Sequence, residues 1–153
     1  IFASFVISLF EAELDAMVAL AVLMPIVASM GGNAGTQSMT VAVRALATRE
    51  LTGQNAQRVL RREIIVGVIN GAAFGMIMSL GAAFWFGVPM LAMVIAMAMM
   101  LTLAAAAFAG IVLPLALDKM GIDPALASGP FVTTVTDVVG FFAFLGLASV
   151  LLL

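Results

Sequence analysis

The sequence has no cysteine and no histidine. Disulfides are therefore excluded, and so are the nitrogen and sulfur ligand sets that usually hold zinc, copper or non-haem iron. A metal bound by this chain would have to be held by oxygen. Charge is also scarce, with 9% of the residues charged and a net charge of −2. An ordinary soluble domain carries roughly 25% charged residues. The polar side chains here cannot cover a water-facing surface. No basic patch or aromatic RNA-type motif is present, which argues against a nucleic-acid partner. The glycines at 31–35 are followed by no lysine and preceded by no strand, so they do not form a phosphate-cradling loop.

What remains is apolar: 65% of the residues are hydrophobic, with a mean hydropathy of +1.28. The composition predicts an all-α integral membrane protein that has lipid as its main solvent. Five apolar stretches stand out, at 1–10, 16–43, 64–86, 88–117 and 124–153. The last four exceed the ~20 residues that a helix needs to cross a bilayer. The first reads as the end of a truncated span. The segments lack the ~10-residue alternation of a membrane β-barrel. The chain begins and ends inside apolar runs, which reads as a single 1–153 membrane domain of a longer protein. The expected fold is a five-transmembrane-helix bundle with its first helix truncated.

The basic residues are unevenly distributed. Arg44, Arg49, Arg58, Arg61 and Arg62 fall between the second and third stretches, and Lys119 between the fourth and fifth. Glu11, Glu13 and Asp15 fall between the first and second. Basic loops stay in the cytoplasm. The 44–63 loop is therefore expected inside the cell and the C-terminus outside, in a multi-pass protein of the cell (inner) membrane.

Asp137 is the one acidic residue inside a span. It follows Asp123 by 14 residues, roughly 21 Å of helix. A carboxylate at that depth costs at least ~2.5 kcal/mol, and no basic residue lies at a matching depth. Gly129, Thr133, Asp137 and Gly140, with Thr136 alongside, form a polar, small-residue stripe that is expected to face protein or a wet cavity. A second polar patch occupies residues 30–38. Gly31, Gly32 and Gly35 are expected to weaken or break the helix there. Asn33, Thr36, Gln37 and Ser38 add oxygen donors, and freed carbonyls would add more. On the third span, Gly67, Gly71, Gly75 and Ser79 recur every four residues as a helix-packing ridge. Asn70 beside it is expected to donate an interhelical hydrogen bond. Pro25 and Pro114 are expected to kink their helices. Glu11, Glu13 and Asp15 are read as a solvated loop that can also concentrate cations. Oxygen donors without nitrogen or sulfur suit a hard cation such as Mg²⁺, and do not by themselves separate it from Ca²⁺, Mn²⁺, Na⁺ or a proton.

Two runs carry a family resemblance. MPIVASMGGNAGTQSMTVAVRALA (24–47) and DPALASGPFVTTVTDVVGFFAFLGLA (123–148) resemble the membrane domain of the MgtE magnesium channels. The resemblance implies five membrane helices in a homodimer, with the ion path on the two-fold axis and lined by the second and fifth helices. It implies that Asp137 is the residue at a central Mg²⁺ site and that residues 31–38 flank it. Gly129 stands where some members have Asn, which leaves only a backbone carbonyl there. Cytosolic regulatory domains are expected to precede the membrane part in the full-length protein. The expected role is transport, not catalysis. Mg²⁺ would be conducted through a channel into the cytoplasm down its gradient, with Mn²⁺ or Ca²⁺ as possible substitutes. The alternative is a Na⁺- or proton-coupled Mg²⁺ exchanger that uses Asp137 as its relay.

Overall fold

The computed structural model describes residues 1–153 and is entirely helical. Two short helices open the chain, α1 (Phe2–Ser8) and α2 (Glu11–Ala16). Four long ones follow: α3 (Val18–Ala47), α4 (Ala56–Phe86), α5 (Pro89–Lys119) and α6 (Pro124–Leu151). These four are long and apolar enough to cross a membrane. The apolar stretch at 1–10 contributes only the seven-residue α1. The acidic segment after it, expected as a loop, is helical as α2.

The long helices extend past their apolar stretches because polar residues continue them into the interface. Ala56–Glu63 add two turns before the apolar part of α4, and Arg44–Ala47 extend α3. The ends follow local chemistry. Gly87 ends α4 in the left-handed region at φ 67°, and Gly121 turns the chain after α5 at φ 74°. Pro89 and Pro124 stand in the first turns of α5 and α6, where no N–H is needed. The Asp123 side chain accepts from the Ala125 N–H at 2.9 Å and caps α6. The 48–55 loop is held by Asn55, which accepts from the Thr52 N–H and donates to the Glu50 carbonyl. Leu51 pins the same loop to Ala42 and Ile111.

α5 is the central element. It is apolar on every side, and Leu91, Val94, Ile95, Ala98, Met99 and Leu103 along its length are buried. α3, α4 and α6 all pack on it, and α3 also packs on α6, whereas α4 scarcely touches α3. The Gly67, Gly71 and Gly75 face of α4 lies directly on the α5 backbone. A Cβ built on Gly71 would come within 2.6 Å of the Met100 Cα, and one on Gly67 within 2.7 Å of the Leu103 carbonyl oxygen. Ser79 bonds its own helix at the Met76 carbonyl. Asn70 makes no interhelical hydrogen bond. It lines an open crevice beside α3 instead. At the far end of α6, the Ser149 hydroxyl donates to Glu13 Oε1 at 2.9 Å, and Phe10 meets Phe142 edge to face. The α1–α2 segment is thereby fastened to α6.

The expected break at residues 30–38 does not occur, because α3 is continuous from Val18 to Ala47. The reason is tertiary. The bare backbones at Gly31 and Gly35 admit Thr102 of α5 and Val132 and Thr136 of α6 at distances that a Cβ would obstruct. Close packing on two neighbours outweighs the roughly 1 kcal/mol helix cost of each glycine. No carbonyls are released there for ion binding. The helices also run through Pro25, Pro114 and Pro130.

Candidate cation site on the α3–α6 seam

α3 and α6 meet through small residues. Gly35 of α3 receives Val132 and Thr136, and Gly140 of α6 approaches Ala28 and Thr102. Thr136 is 0% exposed, and its hydroxyl donates to the Thr133 carbonyl of its own helix at 2.9 Å. Asp137 follows it, about 100° further round α6. Val139 lies about 60° to the other side of Thr136 and lines the cleft toward Leu101 and Ala105 of α5. Asp137 is therefore turned to the side of α6 away from α5. There it is half-buried and forms no ion pair within 4.0 Å. One turn earlier, Thr133 is exposed, and Gly129 has open space where a side chain would be.

The same construction describes α3. Gly31 and Ser38 face α5, and Gly35 and Ala28 face α6. Thr36 lies about 100° beyond Gly35, further from α5, and Asn33 lies beside it; both are exposed. Gly32 also has open space over it. The Thr36 hydroxyl donates to the Gly32 carbonyl at 2.8 Å and keeps its lone pairs outward. Polar groups thus stand uncovered beside the seam: Thr36 on α3, with Asn33 about 60° further round that helix, and Gly129, Thr133 and Asp137 on α6. Together they supply one carboxylate, two hydroxyls and an amide oxygen, with no nitrogen or sulfur ligand of the usual kinds. No group of three or more acidic residues forms a cage that would strip a metal ion of its water.

The remaining members of the sequence-derived set fall elsewhere. Thr136, Gly140 and Gly35 are buried in the helix contact. Gln37 is one turn after Asn33 on the same face of α3, and it lines a crevice of about 200 Å³ with Ser38, Glu63, Gly67 and Asn70. Glu63 belongs to none of the motifs that stand out in the sequence. The signal for it was present, because Glu63, Gly67 and Asn70 fall on one helical face at i, i+4 and i+7. Thr102 was also overlooked. It is the sole hydroxyl in the apolar run of α5, it is 0% exposed, and its oxygen has no hydrogen-bond partner. Its methyl fills the gap left by Gly31.

Comparison with known proteins bears on this arrangement. The MgtE family profile, described as a divalent cation transporter, matches residues 24–147. That span contains the polar groups beside the seam. The magnesium transporter MgtE of Thermus thermophilus is 39% identical over 143 residues, that of Enterococcus faecalis 37% over 143, and that of Bacillus subtilis 36% over 144. Each match covers 94% of this chain and 32% of the relative. The chain therefore spans about a third of the length of these relatives. With four apolar helices of spanning length and a match over most of its residues, the chain belongs to the MgtE family of divalent cation transporters.

Proposed function

We propose that this chain is the ion-conducting membrane domain of a magnesium channel. Asp137 holds hydrated Mg²⁺ at the uncovered side of the α3–α6 seam. The observation that carries this reading is the placement of Asp137: a carboxylate deep in α6, half-buried, free of any ion pair and beside a strip of oxygen donors. A carboxylate inside a membrane is costly unless it meets water, a cation or a partner. Mg²⁺ gives up its water reluctantly and is commonly bound through one or two carboxylates with several waters retained. One carboxylate per chain with hydroxyl and amide oxygens around it suits that ion. The names of the relatives, magnesium transporters, point the same way.

A polar strip of this length does not face lipid. Two copies of the chain related by a two-fold axis would cover it, with their Asp137 side chains opposed across a central path. Thr133, Thr36, Asn33 and the open backbone at Gly129 and Gly32 would hold the waters of the ion. A first span that begins before Ile1 would complete five membrane helices per chain, and cytosolic regulatory domains would precede it. A membrane potential negative inside drives Mg²⁺ inward whichever way the bundle is oriented. A potential of 100 mV contributes ~2.3 kcal/mol per charge, about twice that for a divalent ion. No energy-coupling step is required.

The test is flux into liposomes containing the full-length protein, read with a Mg²⁺ dye. The Asp137→Ala variant is expected to lose Mg²⁺-selective flux by tenfold or more while remaining folded and dimeric. Unchanged selective flux in that variant would refute the reading. An imposed Na⁺ or proton gradient is expected to drive no uphill Mg²⁺ accumulation; accumulation would replace the channel with a coupled exchanger.

A further inference from the structure

A crevice of about 390 Å³ opens between the first turns of α4 and the last turns of α5. Its walls are Leu60 on one side and Ile111, Val112, Leu115 and Ala116 on the other. The α5 residues form a stripe at i, i+4 and i+8 that ends at Lys119. Lys119 also lines the crevice, opposite Gln57. Arg61 follows Gln57 by four residues and so lies on the same side of α4. The crevice is thus apolar toward the middle of the bundle, with Lys119 at its mouth and Arg61 flanking it on α4 one turn beyond Gln57.

The charges there have no internal partner. Lys119 and Arg61 are exposed and form no ion pair within 4.0 Å. Asp118 is adjacent in sequence but about 100° away round α5. A helical Cα–Cβ bond tilts toward the N-terminus, so the Lys119 stem begins over Leu115 and its ammonium reaches outward. Apolar walls beside two cations at the end of two membrane helices complement a phospholipid with a net negative headgroup, a regular component of the cytoplasmic leaflet.

From this juxtaposition we infer that the α4–α5 crevice seats an anionic phospholipid. An acyl chain lies against Leu60, Ile111 and Leu115, and the phosphate is held between Lys119 and Arg61. Basic pockets between membrane helices bind anionic headgroups by this combination. The site is separate from the α3–α6 seam and does not depend on the ion-transport reading. It requires only that the basic end of the bundle meets a leaflet.

Short-range quenching tests it. Trp85, the sole tryptophan, lies near the opposite end of α4. In a Trp85→Phe background, Ala116→Trp places a reporter in the crevice wall. The protein is reconstituted in phosphatidylcholine with a minor fraction of lipid carrying brominated acyl chains. Brominated phosphatidylglycerol is expected to quench the reporter at least threefold more than brominated phosphatidylcholine at equal fraction. The difference is expected to vanish with Lys119→Gln plus Arg61→Gln. Equal quenching by the two lipids would overturn the proposal, and so would a preference that survives both substitutions. Because Ala116→Trp alters the wall, native mass spectrometry of the unlabelled protein provides a second readout. Retained phosphatidylglycerol is expected to fall at least threefold in the double variant. Unchanged retention would also overturn the proposal. Magnesium flux retained alongside lost lipid preference would leave the channel reading intact.

Discussion

At the scale of single residues, Thr136 and Asp137 are neighbours with opposite surroundings. Thr136 has its methyl against Gly35 and its hydroxyl bonded within α6. Asp137 has no such partner and is directed off the seam. The Thr136→Val variant keeps nearly the same shape and removes only an intrahelical hydrogen bond, worth about 1 kcal/mol. Mg²⁺ flux is expected to stay within about twofold of the parent. Asp137→Asn is equally close in shape but removes the charge. Hydrogen bonds to a charged group contribute about 1.5–3 kcal/mol, and every 1.4 kcal/mol is about tenfold in affinity. Mg²⁺ binding measured by titration calorimetry is therefore expected to weaken at least tenfold. If the two variants gave equal losses, the chemistry would belong to the seam as a whole and not to the carboxylate. Asp137 was legible in the sequence because an acid deep in an apolar run has few bland explanations. The burial of Thr136 was not, because it depends on which face of α6 meets α3, and composition does not supply that.

Among the helices, the close contact of α4 with α5 rests on glycines whose neighbours are backbone atoms. Met100 Cα opposite Gly71 cannot rotate away as a side chain could. Gly71→Ala must then push the two helices apart, and overpacking of this kind costs about 1–3 kcal/mol. The melting temperature in detergent, followed by near-UV dichroism, is expected to fall by several degrees. Gly81 is on the same helix with nothing within 4 Å of a built Cβ. Gly81→Ala is expected to be neutral or to stabilise by about 0.5–1 kcal/mol, because alanine loses less entropy in a helix. A similar loss in both variants would remove the contact argument. The four-residue glycine period on α4 could be read directly from the sequence, as could the long helices themselves. The continuity of α3 could not. Gly31, Gly32 and Gly35 look like breakers on propensity alone, and only the arrival of Thr102, Val132 and Thr136 from other helices makes them contact points. The end of α3 at Ala47 and the start of α4 at Ala56 were also obscured, since polar last and first turns continue a helix beyond its apolar core.

For the molecule as a whole, function depends on which end faces the cytoplasm. The four long helices alternate in direction, so the 48–55 loop and the 120–123 link share one end, and α2 and the Gly87–Val88 link share the other. All six basic residues belong to the first end or to the helix turns beside it, whereas Glu11, Glu13 and Asp15 belong to the second. Membrane insertion keeps loops rich in arginine and lysine in the cytoplasm, so the first end is expected inside. The consequence is directional. Cations would meet an acidic outer segment first, then Asp137 near mid-depth, and would leave past the basic end with the potential behind them. This chain has no cysteine, so once any cysteine elsewhere in the full-length protein is replaced by serine, single introduced cysteines report the orientation directly. Gln54 and Ala12 are both exposed, one at each end. In intact cells, a membrane-impermeant maleimide is expected to label the Ala12→Cys variant of the full-length protein. It is expected to leave Gln54→Cys unlabelled until the cells are permeabilised. The reverse pattern would place the basic end outside, and inward Mg²⁺ movement would then run from the basic mouth toward the acidic one. The basic mouth would then repel entering cations, while the membrane potential would still draw Mg²⁺ inward, and the role of the acidic outer segment in gathering cations would be lost even with Asp137 at the centre of the path.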